Sequence, residues 1–561
     1  MRIATATLFC LLTASAALAS LTSSALTGRV TAGDAAAADV TITLTSTALQ
    51  HERTTTTSSK GMYWIGGLPP GTYDVTFSAK GMQTLTRRAV VELGRTARAD
   101  AKLERSEEEE SVTSTATTVG VADTTSITTH FSDAELDRLP YSRWLTGFRL
   151  APGPFFDQLL LDDGELREAI GGEELIEEET AIRGALPVED EGFVRGVISE
   201  RTRSGGEAFS LSVRDTWTDA SYGNGNIFES ASGGRIVPQR LWFFAGGWAG
   251  DAPAASDWNG VLLKLTGQLG AAHNLVGEYR NARSKSTILF DGSREDFRTH
   301  NETVRYTGVL SDRLLVEGAG SRFTYGDGFF TSHHDTATAK VSYRLGEHVI
   351  AGGVDRWLGT TSLFLGDRLA WRGLTVDAGL RGRDGDLSPR VAATYDFRGD
   401  GRQAFSASWG DYSGAGLPPA AHVATIGYAT AIGASGSTRI DYIRRDLGTT
   451  TLDQLQLDAR YRLFDRFEAG ASYTYSRNVG TDLRNIGSAW IGATLPVGSH
   501  EVGATILEHH LYGDQWTTDL ALRYAIPFSR LGLTLAADAT DLFDVYTLEG
   551  RTVRLWARLR V

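Results

Sequence analysis

Two pairs of adjacent histidines, His333-His334 and His509-His510, are the side chains whose chemistry is easiest to name. Each pair adjoins a carboxylate, so each group offers the nitrogen and oxygen ligands that a metal ion such as zinc accepts. Neighbouring side chains on a β-strand point to opposite faces, however, and so cannot meet at one ion. The sequence therefore predicts no metal site at either pair, and no cofactor.

Catalytic motifs are missing from the chain. It contains no H-E-x-x-H zinc motif, no G-x-S-x-G nucleophile elbow, no Walker A loop and no dinucleotide-binding fingerprint between a strand and a helix. Carboxylates are numerous, but nothing in a sequence alone places two of them across a cleft. The prediction is a protein that is not an enzyme.

An aromatic segment at residues 325–334 is the candidate for ligand binding. Tyr325, Phe329, Phe330 and His333 offer ring faces that suit stacking on a sugar or contact with a siderophore. An interfacial aromatic girdle or a simple turn accounts for the same residues. Both interpretations stay open at this stage.

The final segment, residues 552–561, restricts where the chain can lie. Apolar residues alternate there with a second set that includes Arg554, Arg558 and Arg560, and period two is typical of a strand. Three arginines on one face do not fit a two-sided core, because a buried unpaired guanidinium is very costly. The pattern predicts an apolar face toward lipid and a charged face toward a wet lumen, as in a transmembrane β-barrel.

The same alternation recurs throughout residues 208–561, for example in 455–463, 467–475 and 520–528. Any one segment alone would also fit an ordinary half-buried antiparallel strand. Their repetition favours a barrel, and spanning strands of roughly 9 to 11 residues give about 22 strands with short connections. The predicted fold class is mainly all-β, a transmembrane antiparallel β-barrel.

The N-terminus and the composition indicate export. Residues 1–19 combine Arg2, an apolar stretch and a small-x-small site at 17–19, which is the pattern of a signal peptide. The single cysteine, Cys10, lies inside that segment, so disulfides and Cys-ligated metals are not expected in the exported chain. A net charge of -13 argues against nucleic acid as a partner.

Residues 20–105 predict a small β-sandwich with Thr- and Val-rich strands and Gly- and Pro-rich turns. The sequences SSKGMYWIGGLPPGTYDVTFSAKGMQTLTR and VVELGRTARADAKLE resemble the carboxypeptidase regulatory-like domain, a transthyretin-like sandwich with a carbohydrate-binding-like fold. The resemblance implies a docking or extension domain, and no H-x-x-E metal pair accompanies it. A spacer without a ligand is the alternative.

Residues 106–130 form an acidic, Ser/Thr-rich stretch, typical of a solvated linker. Its segment Glu110, Ser111, Val112 and Thr113 is similar to the TonB-binding segment of proteins that join such a sandwich to an outer-membrane barrel. An extended segment of this kind can pair with a partner's sheet edge. A plain linker is the alternative.

Residues 131–207 contain five landmarks, which are, in order, Leu139-Pro140, Leu150–Gly153, Leu160–Arg167, Ala185–Gly192 and the turn Thr202–Gly206. Together they resemble the plug domain of Oar-like TonB-dependent receptors. The spacing between two of these landmarks is shorter than in the family, so the plug is expected to be shortened. The acidic run at residues 173–179 is expected to be solvated.

The resemblance implies a TonB-dependent receptor that imports a siderophore, an oligosaccharide or a peptide through a plugged barrel in the outer membrane. The implied partners are outer-membrane lipid, a TonB-like periplasmic energy-coupling protein and a small extracellular ligand, with carbohydrate as one candidate; the sandwich would lie in the periplasm. A non-transporting surface or structural barrel is the runner-up. A secreted β-sandwich adhesin is a third hypothesis, and it predicts release without detergent.

Overall fold

The structure is a computed structural model that describes most of residues 24–561. The predicted signal segment, residues 1–19, lies outside the described residues, as do Glu110–Thr113. The gaps after residue 23 are 34, 47, 70, 92–95, 106–113, 116–126, 141–157, 162–163, 167–171, 184–196, 221–222, 253–254, 271, 288–293, 312, 327–330, 358, 372, 384, 399–401, 413–420, 433–435, 447–450, 464–465, 478–484, 511–516, 529–530 and 541–551.

The N-terminal unit is a sandwich of two sheets. One sheet has the order β2-β1-β5, with β8 and β9 paired to β1, and the other has the order β10-β7-β6-β3-β4. Alternation along β6 turns Tyr73, Val75 and Phe77 into the core between the sheets. The strands are β1 Ser24–Ala32, β2 Ala35–Ala36, β3 Thr41–Thr45, β4 Arg53–Thr56, β5 Met62–Leu68, β6 Gly71–Ser78, β7 Leu85–Val91, β8 Thr96–Arg98, β9 Ala101–Leu103 and β10 Ser114–Thr115.

The second unit is a small sheet with one short helix, α1 (Asp133–Leu136). Ser132 and Glu135 form a capping box at the start of α1, and this satisfies otherwise unpaired amide groups of its first turn. The sheet order is β11-β14-β15-β12-β13. The strands are β11 Ile127–Phe131, β12 Gln158–Leu161, β13 Gly164–Leu166, β14 Ile176–Arg183 and β15 Val197–Thr202.

No helix among the described residues is long and apolar enough to cross a membrane.

The third unit is a closed antiparallel barrel of strands β16 to β37, in which β16 pairs with β37. The prediction of about 22 strands is confirmed. The strands are β16 Ser210–Ala220, β17 Gly223–Val237, β18 Leu241–Ala252, β19 Ala255–Leu269, β20 His273–Thr287, β21 Arg294–Val309, β22 Leu314–Gly326, β23 Thr331–Leu345, β24 His348–Trp357, β25 Thr360–Trp371, β26 Leu374–Arg383, β27 Asp386–Asp396, β28 Gln403–Tyr412, β29 Ala421–Ile432, β30 Gly436–Asp446, β31 Thr451–Leu463, β32 Phe467–Arg477, β33 Asn485–Val497, β34 His500–His510, β35 Thr517–Phe528, β36 Leu531–Thr540 and β37 Thr552–Arg560.

The two faces of the barrel wall differ in polarity. On β31, Leu455 and Leu457 are exposed on the outside, whereas Gln454 and Gln456 are buried in the lumen. On β37, Leu555 and Leu559 are exposed on the outside, and Arg558 points inward. An apolar outer belt around a polar, filled interior is the arrangement of a barrel that lies in a lipid bilayer.

Candidate functional site: the plug and its seat in the barrel

The sheet of the second unit lies inside the barrel and is called the plug here. Its principal polar contact with the wall is a cluster of eight side chains that we name the plug clamp. The clamp consists of Arg214 on β16, Arg554, Arg558 and Arg560 on β37, and the plug residues Asp133, Asp137, Glu173 and Glu174.

Three ion pairs of the plug clamp are short. Arg558 donates from both terminal nitrogens to the two oxygens of Asp137, at 2.8 and 2.7 Å, which is the strong bidentate geometry. Glu173 lies 3.0 Å from Arg554 and 2.7 Å from Arg214. The plug is thereby tied to both strands that close the barrel.

Glu174 occupies the middle of the clamp and is 0% exposed. Its carboxylate lies 3.5 Å from Arg560, 3.6 Å from Arg558 and 3.9 Å from Arg214. Arg214 and Arg558 are direct cross-strand neighbours at the β16–β37 seam, where like charges are destabilising. The plug carboxylate thus offsets a repulsion that the barrel's own closing strands contain.

The expectation that the acidic run at residues 173–179 is solvated is wrong for four of its glutamates, which are buried in the structure. Glu174 and Glu179 are fully buried, and Glu177 and Glu178 are nearly so. The plug strand lies inside the barrel, where positive side chains meet the carboxylates. A charge run that would be solvated on a free surface is therefore part of an interface here.

A second group of polar contacts links the start of the plug to β31 and β32. Arg138 lies 2.7 Å from Glu468, and Arg462 lies 3.6 Å from Glu135. Burial tends to raise the pKa of Glu135, but Arg460 and two hydrogen bonds from Ser132 outweigh it and hold that pKa below its usual range. Glu135 is therefore ionised at neutral pH and attracts the basic wall.

Apolar packing completes the seat of the plug. Leu175 and Ile176 lie in one buried cluster with Phe244, Trp248 and Leu262 of the wall. The approach is close at Gly246, where an added Cβ would lie 2.3 Å from Cδ2 of Leu175. At this seat the plug is packed directly against the wall, with no room for a further side chain at Gly246.

The candidate ligand residues lie apart in the structure. Tyr325 is on the lumen side of β22, with its ring 6.0 Å from that of Phe297. His333 is exposed on the other face of the wall, where its Nδ1 lies 3.0 Å from the hydroxyl of Thr324. Phe329 and Phe330 lie outside the described residues, and no group of three potential metal ligands occurs among the residues that are described.

The TonB-box-like segment, Glu110–Thr113, also lies outside the described residues. The next two residues form β10, which pairs in parallel with β7 of the sandwich: Ser114 lies opposite Leu85, and Thr115 opposite Thr86. This part of the linker thus adds a strand to the edge of its own sandwich. Strand addition is also how extended peptides bind to partner proteins.

Sequence reasoning missed the acidic half of the plug clamp. The alternation along β37 predicts that its arginines face the lumen, and the structure confirms that position for Arg558. The signal that was available is complementary charge, because a lumen lined with arginine requires acidic partners and the plug segment holds an acidic run.

Comparisons with known proteins support this architecture. Residues 25–104 match the family described as carboxypeptidase regulatory-like domain. The TonB-dependent transporter Oar of Myxococcus xanthus is 27% identical over 329 residues, which cover 49% of this chain and 30% of Oar. The chain therefore spans less than a third of the length of that relative.

Solved receptors share the fold. The siderophore receptor PirA from Pseudomonas aeruginosa superposes with a TM-score of 0.62 at 13% identity, covering 77% of this chain and 99% of PirA. The ferric-catecholate import receptor Fiu from E. coli K12 gives a TM-score of 0.62 at 12% identity, covering 79% and 97%. This chain has the fold of a TonB-dependent receptor. The plug clamp joins the plug to the two strands that close this barrel, β16 and β37. These similar proteins are named as transporters or receptors, not as enzymes.

Proposed function

We propose that the chain is an outer-membrane TonB-dependent receptor that imports a small extracellular ligand through its plugged barrel. The observation that carries the proposal is the way in which the plug is held. A closed barrel of this size is filled by a separate sheet whose main attachments are ion pairs and packing. Attachments of this kind can be broken and formed again, which an import cycle requires.

The proposal places the sandwich and the linker on the periplasmic side, after removal of residues 1–19. The TonB-like partner would bind Glu110–Thr113 by strand addition and pull on the linker, which leads directly into β11 of the plug. Lipid of the outer membrane would cover the apolar belt. The ligand class is a siderophore, an oligosaccharide or a peptide, with Tyr325, Phe329, Phe330 and His333 as contact candidates.

The TonB-binding role predicts a selective loss of uptake. We expect replacement of residues 110–113 by Gly-Ser-Gly-Ser to abolish pulldown of the periplasmic domain of the host's TonB protein, because the segment's β-propensity and side chains are lost while its length is kept. Uptake should fall to the level of a receptor-deletion strain. The uptake assay uses whichever limiting nutrient slows the growth of that deletion strain.

The same replacement at residues 121–124, in the same linker, is the matched control and should leave pulldown and uptake at the parent level. If the parent protein binds no TonB and its uptake is insensitive to the change at 110–113, the non-transporting surface barrel becomes the better account.

A further inference from the structure

The sandwich rests on the plug through the turn between β5 and β6. The backbone N–H of Thr72 donates to Oε1 of Glu178 at 3.4 Å, and the Thr72 hydroxyl lies 3.2 Å from Nε2 of His130. The other ring nitrogen of His130 lies 3.1 Å from the hydroxyl of Thr180 on β14. Both partners of Thr72, Glu178 and His130, belong to the plug, and Thr180 ties His130 to β14.

The shape of this turn depends on Gly71. Its φ of +152° is one that side-chain-bearing residues rarely adopt, and an added Cβ would lie 3.2 Å from Oε2 of Glu178. Arg201 holds Glu178 in place at 3.3 Å and Glu177 at 2.6 Å. The sandwich therefore contacts plug strand β14, which a partly buried arginine joins to β15.

The sandwich also touches the rim of the barrel at two places. Ala25 and Trp64 form a buried apolar cluster with Leu315 at the start of β22. The ring of His51 is stacked on that of Trp242 at the start of β18, with centroids 6.1 Å apart.

Both rim contacts lie at the same end of the barrel, because β18 and β22 run in the same direction and each is touched at its first residues. The same end holds the junction at His130, whose carbonyl accepts a hydrogen bond from Arg460 of β31 at 2.9 Å. One domain thus bridges the plug and two separate parts of the wall.

We propose that the sandwich is a stop at the periplasmic mouth, which keeps the plug seated and must leave the rim before the plug can move. The inference rests on the proposed function, which sets the direction of transport and places this end of the barrel in the periplasm. It assigns a mechanical role to the sandwich, with strands β11 and β14 of the plug as its binding partners and β15 linked to them through Arg201. The contacts with the plug are few and polar, so the stop is reversible: a hydrogen bond of this kind adds little net stability.

The first test measures how firmly the sandwich holds the plug, and it does not require a transport assay. We expect Thr72→Val, which removes the hydroxyl contact with His130 and keeps the side-chain shape, to raise hydrogen exchange of the β14 and β15 amides about fivefold. Thr41→Val, at an exposed position of the same sheet, is the matched control and should leave that exchange at the parent rate. Heat-modifiable migration on gels shows that each variant has assembled its barrel.

The second test locks the stop in place. The double variant His51→Cys and Trp242→Cys, treated with the short thiol crosslinker dibromobimane, should retain pulldown of the periplasmic TonB domain and lose uptake by more than tenfold. Two controls should still transport: the double variant without crosslinker, and each single variant after the same crosslinker treatment.

The inference is overturned if Thr72→Val exchanges at the rate of Thr41→Val, or if the crosslinked receptor transports as fast as the untreated one. A parent protein that does not transport at all would instead contradict the proposed function, and the exchange measurement would still decide whether the sandwich holds the plug.

Discussion

Replacing Glu174 with glutamine is expected to loosen the plug by about 3 to 5 kcal/mol, the usual effect of removing one partner from a buried ion pair. The carboxylate is fully buried and faces Arg214, Arg558 and Arg560 within 3.9 Å. Without its charge, the repulsion between Arg214 and Arg558 across the barrel seam loses the one carboxylate that the two arginines share, although Glu173 and Asp137 still pair with one of them each. We expect a lower unfolding temperature in detergent and a leak of bulky antibiotics such as vancomycin into cells that produce the variant.

Glu302→Gln is the matched control for this experiment. Glu302 also has a side-chain partner, since its Oε1 lies 3.2 Å from Nε2 of His300, but its side chain is 58% exposed on the outer face of the wall. A pair in that position contributes less than about 1 kcal/mol. Equal effects of the two substitutions on leak and on unfolding would show that Glu174 does not hold the plug.

Placing an arginine in the lipid-facing belt is expected to have the second largest effect. Leu522 points outward from β35, between Leu520 and Tyr524 on the same face, and its side chain is 45% exposed. Leu522→Arg should destabilise the inserted barrel by about 2 to 4 kcal/mol, because a guanidinium then faces hydrocarbon. Urea-induced unfolding in lipid vesicles measures the loss.

Asn259→Arg tests the same substitution outside the belt. Asn259 is exposed near the start of β19, away from the rim that the sandwich touches. The expected cost there is about 0 to 1 kcal/mol. A folded, monodisperse Leu522→Arg protein that needs no detergent would contradict the membrane location of the whole barrel.

Much of this fold is determined locally by the sequence. In β37 the alternation of Leu555 and Leu559 with Arg554 and Arg558 separates a lipid face from a lumen face, because side chains on a strand point to opposite sides at every step. The repetition of that pattern gave the approximate number of strands. The capping box of Ser132 and Glu135 is likewise a local feature, because its two residues lie three positions apart in the chain.

The plug clamp and the seat of the sandwich were decided only by the tertiary structure. Arg554 and Glu173 meet although 381 positions separate them in the chain, and no local pattern carries information over that distance. An acidic run such as residues 173–179 has the same sequence whether water or arginines surround it. The periodicity of the chain determined which way its arginines point, whereas closing the barrel around the plug determined which carboxylates they bind.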